Sequence, residues 1–76
     1  MNNTRRKSIQ KIYDRLEELM QDIEALQEEE QDAFDNMPEN LQCSERGEAM
    51  EEAIESLESA ANSVQEALDC LEEAMQ

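Results

Sequence analysis

From Ile9 onward the apolar residues in the first half of the chain fall at Ile9, Ile12, Leu16, Leu19, Ile23 and Leu26, then resume at Ala33 and Met37. This 3-4-3-4 alternation is broken once, by Glu30. Apolar positions recurring in this rhythm mark a helix that packs lengthwise against another helix. A second run, Met50, Ile54, Leu57, Ala61, Val64, Leu68, Leu71 and Met75, keeps the alternation without a break. Tyr13, Met20 and Phe34 lie beside the first stripe and widen it. Between the runs, Pro38 bars helix continuation and Ser44 is a good N-cap for a helix starting at Glu45. The pattern predicts one domain over 1–76, with helix one over about 4–36, a turn over about 37–44 and helix two over about 45–75. Helices of about 31 residues, about 46 Å long at 1.5 Å per residue, joined by a short turn, imply an antiparallel hairpin. The expected fold class is therefore all-α, an antiparallel two-helix coiled-coil hairpin.

Centring the turn on Asn40 sets Ile9 against Leu71, Ile12 against Leu68, Leu16 against Val64, Ile23 against Leu57 and Leu26 against Ile54. Leu19 then meets Ala61, Ala33 meets Gly47 with close backbone approach, and Glu30 meets Met50. A carboxylate at a core position costs stability unless it is paired or wet. Glu30 is expected in a frayed, solvated layer near the turn; the alternative is a register or partner device, with Arg46, the one cation on helix two, within reach.

Helix two carries a further stripe at the same spacing: Ala53, Ser56, Ala60, Ser63, Ala67, Cys70 and Ala74, every member small. Small side chains at this period let another helix approach closely, so this seam is a candidate surface for self-association or helix docking. With the widened stripe of helix one, it favours a homodimeric four-helix bundle over a lone hairpin. Burial makes the same demand, since a chain of 76 residues is below the size at which one core ordinarily suffices.

Charge changes the picture most. Residues 16–76 carry twenty acids against the single cation Arg46, whereas the other five cations crowd into residues 5–15. Arg5, Arg6, Lys7 and Lys11 would lie beside Glu66, Asp69, Glu72 and Glu73, which favours the antiparallel orientation. The field of the acidic segment attracts basic protein surfaces and repels nucleic acid and anionic membrane. Cys43 and Cys70 fall at opposite ends of the hairpin, beyond disulfide reach, and reduced thiols point to the cytoplasm. No apolar run is long enough for a membrane span or a signal peptide core.

Catalytic chemistry finds no support: the chain has no His, no phosphate-binding Gly loop, no GxSxG elbow and no Cys with a candidate base. No ligand spacing for zinc or calcium is present, so neither a cofactor nor a metal site is expected. What remains is an ordered carboxylate surface. Glu45, Glu48, Glu51, Glu52, Glu55 and Glu58 on helix two, with Glu28, Glu29, Asp32 and Asp35 on helix one, are the candidate partner-binding acids. Acids three or four residues apart on a helix stand roughly 5–6 Å apart, close to the step between phosphates on a strand. Nineteen net charges over about 46 Å give one per about 2.4 Å, against one per about 1.7 Å in duplex DNA. The expected function is a non-catalytic acidic protein–protein interaction module. The alternative is a nucleic-acid mimic that occupies the basic groove of a DNA- or RNA-binding protein, and the plainest reading of the acids is a solubility coat.

The stretch Pro38-Glu39-Asn40-Leu41-Gln42-Cys43-Ser44-Glu45-Arg46-Gly47-Glu48, followed by Ala49-Met50-Glu51-Glu52-Ala53-Ile54, resembles small acidic helical-hairpin proteins of phages and mobile elements in Gram-positive bacteria. The resemblance implies a setting rather than a site. Phage-borne acidic miniproteins of this size include DNA mimics that inhibit restriction or CRISPR effectors, which gives the mimic reading its analogy.

Overall fold

Asn2 opens the first helix: its side-chain oxygen accepts the Arg5 amide at 2.8 Å, satisfying one of the donors that a helix start leaves free. In the computed structural model, which describes residues 1–76 throughout, α1 spans Asn3–Asp35, a single helical turn α2 spans Glu39–Gln42, and α3 spans Glu45–Met75. There are no strands. The long helices α1 and α3 pack along each other as a hairpin measuring 58 × 14 × 13 Å. Arg6 Nε donates to the Met75 carbonyl at 3.1 Å, so the first turn of α1 is tied to the last turn of α3 and the two run antiparallel.

The turn is more ordered than its composition suggests. Pro38 cannot continue α1, but its carbonyl accepts the amides of Leu41 and Gln42 at 2.9 and 3.1 Å and so starts α2. Gln42 Nε2 reaches back to the carbonyls of Phe34 at 3.0 Å and Met37 at 3.3 Å, supplying donors to the carbonyl end of α1. Ser44 caps α3 as expected, accepting the Gly47 amide at 3.3 Å while its hydroxyl donates to the Leu41 carbonyl. Gly47 is buried, and a Cβ there would lie within 2.8 Å of Gln42 Cα and closer still to its carbonyl. The close approach at this glycine is therefore to the backbone of the turn. Ala33, the expected neighbour, is exposed.

On α3 the inward-facing row is the one the periodicity picks out: Gly47, Ala61 and Leu68 are buried, and Met50, Ile54, Leu57, Val64, Leu71 and Met75 are half-buried. On α1 the row is different. The half-buried positions are Arg6, Ile9, Tyr13, Leu16, Met20, Ile23, Gln27, Glu30 and Phe34, with Met37 just beyond the helix, again spaced 3-4-3-4 but turned relative to the expected stripe. Ile12, Leu19 and Leu26 are instead 51, 52 and 54 % exposed. The expected layers Ile12–Leu68, Leu19–Ala61 and Leu26–Ile54 are corrected accordingly: Tyr13 and Met20 line a cleft with Leu68, and Phe34 lines one with Ile54. The physical reason is width. The apolar stripe of α1 is three rows broad, and one neighbouring helix covers two. The row of Tyr13, Met20 and Phe34 offers larger side chains to an α3 surface in which Ala61 leaves room.

Candidate interaction surfaces

The packed seam separates the rest of each helix into two flanks of opposite character. On one flank Glu17, Gln21 and Glu24 of α1 share a shallow cleft with Gln65 of α3, and Gln31 shares another with Glu51 and Glu55. On the other flank Leu26 and Glu29 stand beside Leu57 of the seam. Seven-residue spacing extends each flank along the rod. The first flank takes in Glu48, Glu58, Asp69 and Glu72 of α3 and Glu28 and Asp35 of α1, with Glu45, Glu52 and Asp32 at the outer edges. The second takes in Ala53, Ser56, Ala60, Ser63, Ala67, Cys70 and Ala74 of α3, alongside Ile12 and Leu19 of α1, with Arg15, Asp22 and Glu29 at its outer edge.

The ten candidate acids are all exposed, and nine of them stand on the acidic flank or the outer edges. Glu29 does not join them: it lies on the apolar flank beside Leu26 and Glu30. Along the small-residue stripe of α3, Ala53 and Ala60 are half-buried against α1, while Ser56, Ser63, Ala67, Cys70 and Ala74 are exposed. The ten acids of α3 avoid every one of these seven positions. Sequence reasoning missed the neighbouring row Ile12, Leu19 and Leu26 as surface. The available signal was the excess breadth of the α1 stripe, three rows where a hairpin needs two.

Electrostatics on the acidic flank is felt by Tyr13. Packing around its ring, and then the carboxylates of Glu17, Glu72, Asp69 and Asp14, push the phenol above its ordinary value of 10.0. Glu30 is half-buried at the seam with Leu26, Glu29 and Leu57 around it, and Arg46 is exposed. No buried side-chain nitrogen or oxygen lacks a hydrogen-bond partner, so the Glu30 carboxylate is solvated at the rim of its layer.

No group of three or more His, Cys, Asp or Glu side chains is arranged to hold a metal ion. Both cysteines are free and exposed. No helix is long and apolar enough to cross a membrane. A surface cleft of about 510 Å³ is lined by Gln21, Glu24, Gln27, Glu28 and Gln31 with Ala25 as its one apolar member, a poor match to the largely apolar cavities that hold small ligands. What the arrangement can do is present two extended surfaces, one of carboxylates and one of aliphatic and small side chains. No known protein family, curated protein or solved structure matches the chain.

Proposed function

We propose that the protein is a non-catalytic, cytoplasmic protein–protein interaction module that self-associates into a four-helix bundle and engages a basic protein surface through its acidic flank. The observation that carries this reading is the division of the hairpin: the carboxylates Glu48, Glu51, Glu55 and Glu58 fall on one side of α3, and Ala53, Ala60 and Ala67 on the other. A coat whose only task is solubility has no need to leave one side of a helix free of acid. Capture of proteins from a Gram-positive lysate at 50 and 500 mM salt tests the reading, with a Glu48→Lys/Glu52→Lys/Glu55→Lys variant beside the wild type. Captured partners are expected to fall away with salt and with charge reversal. Capture that ignores both overturns the role given to the acids.

A second reading, the phage or mobile-element nucleic-acid mimic, is favoured by charge per unit length. Fifteen net negative charges on a 58 Å rod give one per about 3.9 Å, and two copies side by side give one per about 1.9 Å, near the 1.7 Å or so of duplex DNA. It predicts that duplex DNA competes with the protein for the captured partner. Partners that DNA does not displace leave the adaptor reading alone.

A further inference from the structure

We infer that the row Ile12, Leu19 and Leu26, with Ala53, Ala60 and Ala67 level with it on α3, is the face on which a second copy of this chain sits. The inference rests on the self-association proposed above and names the surface and the orientation that carry it.

The three aliphatic side chains recur every seven residues and are each about half exposed, so they form one line about 21 Å long at 1.5 Å per residue. The hairpin leaves about half of each uncovered. In an antiparallel pair the level partners of Ile12, Leu19 and Leu26 on this flank are Ala67, Ala60 and Ala53, because Arg6 meets Met75 and Tyr13 meets Leu68. Each level therefore offers one large and one small side chain, and two such faces stacked by a two-fold axis place two large and two small residues in every layer. That is the filling a four-helix core requires.

The exposed area agrees in size. The hairpin exposes 5823 Å², whereas a folded monomer of 8.8 kDa is expected to expose about 4,800 Å². The excess, about 1,000 Å² per copy, is close to the roughly 800 Å² that each partner buries in a stable protein–protein interface. The monomer also has no fully buried side chain, and its core residues by burial are Ala61 and Leu68 alone.

The placement of charge draws a basic helix to the other flank and sets the orientation of a copy on this one. A basic partner would be drawn to the acidic flank, and the α3 half of this face holds no acid between Ala53 and Ala74 on its small-residue rows. Between residues 28 and 48 at the turn end, eight acids stand against Arg46, whereas residues 1–15 and 62–76 at the open end hold five cations and five acids. A two-fold axis that puts the turns at the same end stacks two strongly negative ends. The axis that puts them at opposite ends separates them by most of the 58 Å rod, several screening lengths of about 8 Å at physiological salt. In that arrangement Leu19 packs on Leu19 of the second copy at the axis, and Ile12 packs on Leu26 of the second copy.

Sedimentation equilibrium and crosslinking test this on the full chain. The wild type is expected at twice 8.8 kDa at tens of micromolar, and Leu19→Ser/Leu26→Ser at half the wild-type mass. Because the double variant can lose its helices with its partner, Ala67→Gln serves beside it: the site is exposed, Gln is tolerated in a helix, and a helical monomer by circular dichroism is the expected result. In a Cys43→Ser/Cys70→Ser background, Leu19→Cys is expected to give a covalent dimer with a short bismaleimide. Leu26→Cys is not, its counterpart lying about 21 Å away. A monomeric wild type, a dimer that survives both sets of substitutions, or equal crosslinking at positions 19 and 26 overturns the proposal. A monomer that still captures basic partners with salt sensitivity defeats this face and leaves the acidic module standing. A dimer that captures nothing does the reverse.

Discussion

Gly47 and Arg6 show how single residues hold the two ends of the rod. An interior glycine ordinarily weakens a helix by about 1 kcal/mol relative to alanine, so on propensity alone its replacement by alanine stabilises. Here the added methyl would meet the Gln42 backbone, which the Pro38 carbonyl and the Gln42 side chain hold in place. Overpacking against backbone costs about 1–3 kcal/mol, which exceeds the gain. Gly47→Ala is expected to lower stability by about 1–2 kcal/mol, read as a lower urea midpoint with an unchanged slope. At the other end, α3 finishes with Glu72 and Glu73 and no basic residue in its last turn, unfavourable for the negative end of a helix dipole. Arg6, half-buried, brings the missing cation from the other helix through its bond to Met75. Arg6→Ala is expected to cost about 1 kcal/mol, and Arg5→Ala, exposed and turned away, less than about 0.5 kcal/mol, in the same urea titration.

At the scale of the elements, the two long helices and the Ser44 cap were legible in the sequence, and the Asn2 cap and the rotation of α1 were not. Ser44 and Pro38 state where α3 begins and where α1 must stop, because capping and proline act within a few residues of chain. The α3 seam was legible for a related reason: Glu and Ser or Ala flank it on both sides, leaving one apolar choice. On α1 two choices competed, Ile12–Leu19–Leu26 and Tyr13–Met20–Phe34, both sharing Ile9, Leu16 and Ile23. Periodicity cannot separate them, since both follow the same spacing. Packing against the surface of α3, where Ala61 is small, separates them, and that is a property of the pair of helices. The single helical turn α2 and the reach of Gln42 to Phe34 and Met37 were likewise invisible, because they depend on contacts made after the chain reverses. The chosen rotation has a measurable consequence. It sets Tyr13 among the carboxylates of both helices, Glu17 and Asp14 from its own and Glu72 and Asp69 from α3. The folded phenol therefore holds its proton to higher pH than the unfolded one. Tyrosinate absorbance at 295 nm should rise later in buffer than in 6 M guanidinium, and Glu72→Gln should bring the folded midpoint back toward 10.0. The linkage runs the same way: as pH rises above 10 the unfolded chain loses the Tyr13 proton first, so this group subtracts from stability there and contributes nothing below. Had the Ile12 row faced α3, Tyr13 would stand clear of Glu72 and Asp69, and Glu72→Gln would leave its titration unchanged.

For the whole molecule, net charge and incomplete burial pull in opposite directions, and their balance sets when the protein folds. Like charges at i, i+4, such as Glu24–Glu28, Glu28–Asp32, Glu48–Glu52 and Glu51–Glu55, each cost about 0.2–0.5 kcal/mol. The same repulsion acts between the helices along the acidic flank. Against it stands a seam in which only Gly47, Ala61 and Leu68 are buried. A second copy covering Leu19 and its neighbours adds apolar burial while doubling the charge on the rod. Most of the acids stand off the proposed shared face, Glu29 beside Leu26 being an exception, so much of the added repulsion would act through water and be screened. Raising sodium chloride from 10 to 100 mM shortens the screening length from about 30 to about 10 Å, which is less than the width of the 14 Å rod. The melting temperature is therefore expected to climb across this range and to climb with protein concentration at fixed salt, as it must when folding and association are linked. A melting temperature that follows salt but not concentration assigns the stability to the lone hairpin. One that follows concentration but not salt shows that repulsion among the acids is not what opposes folding.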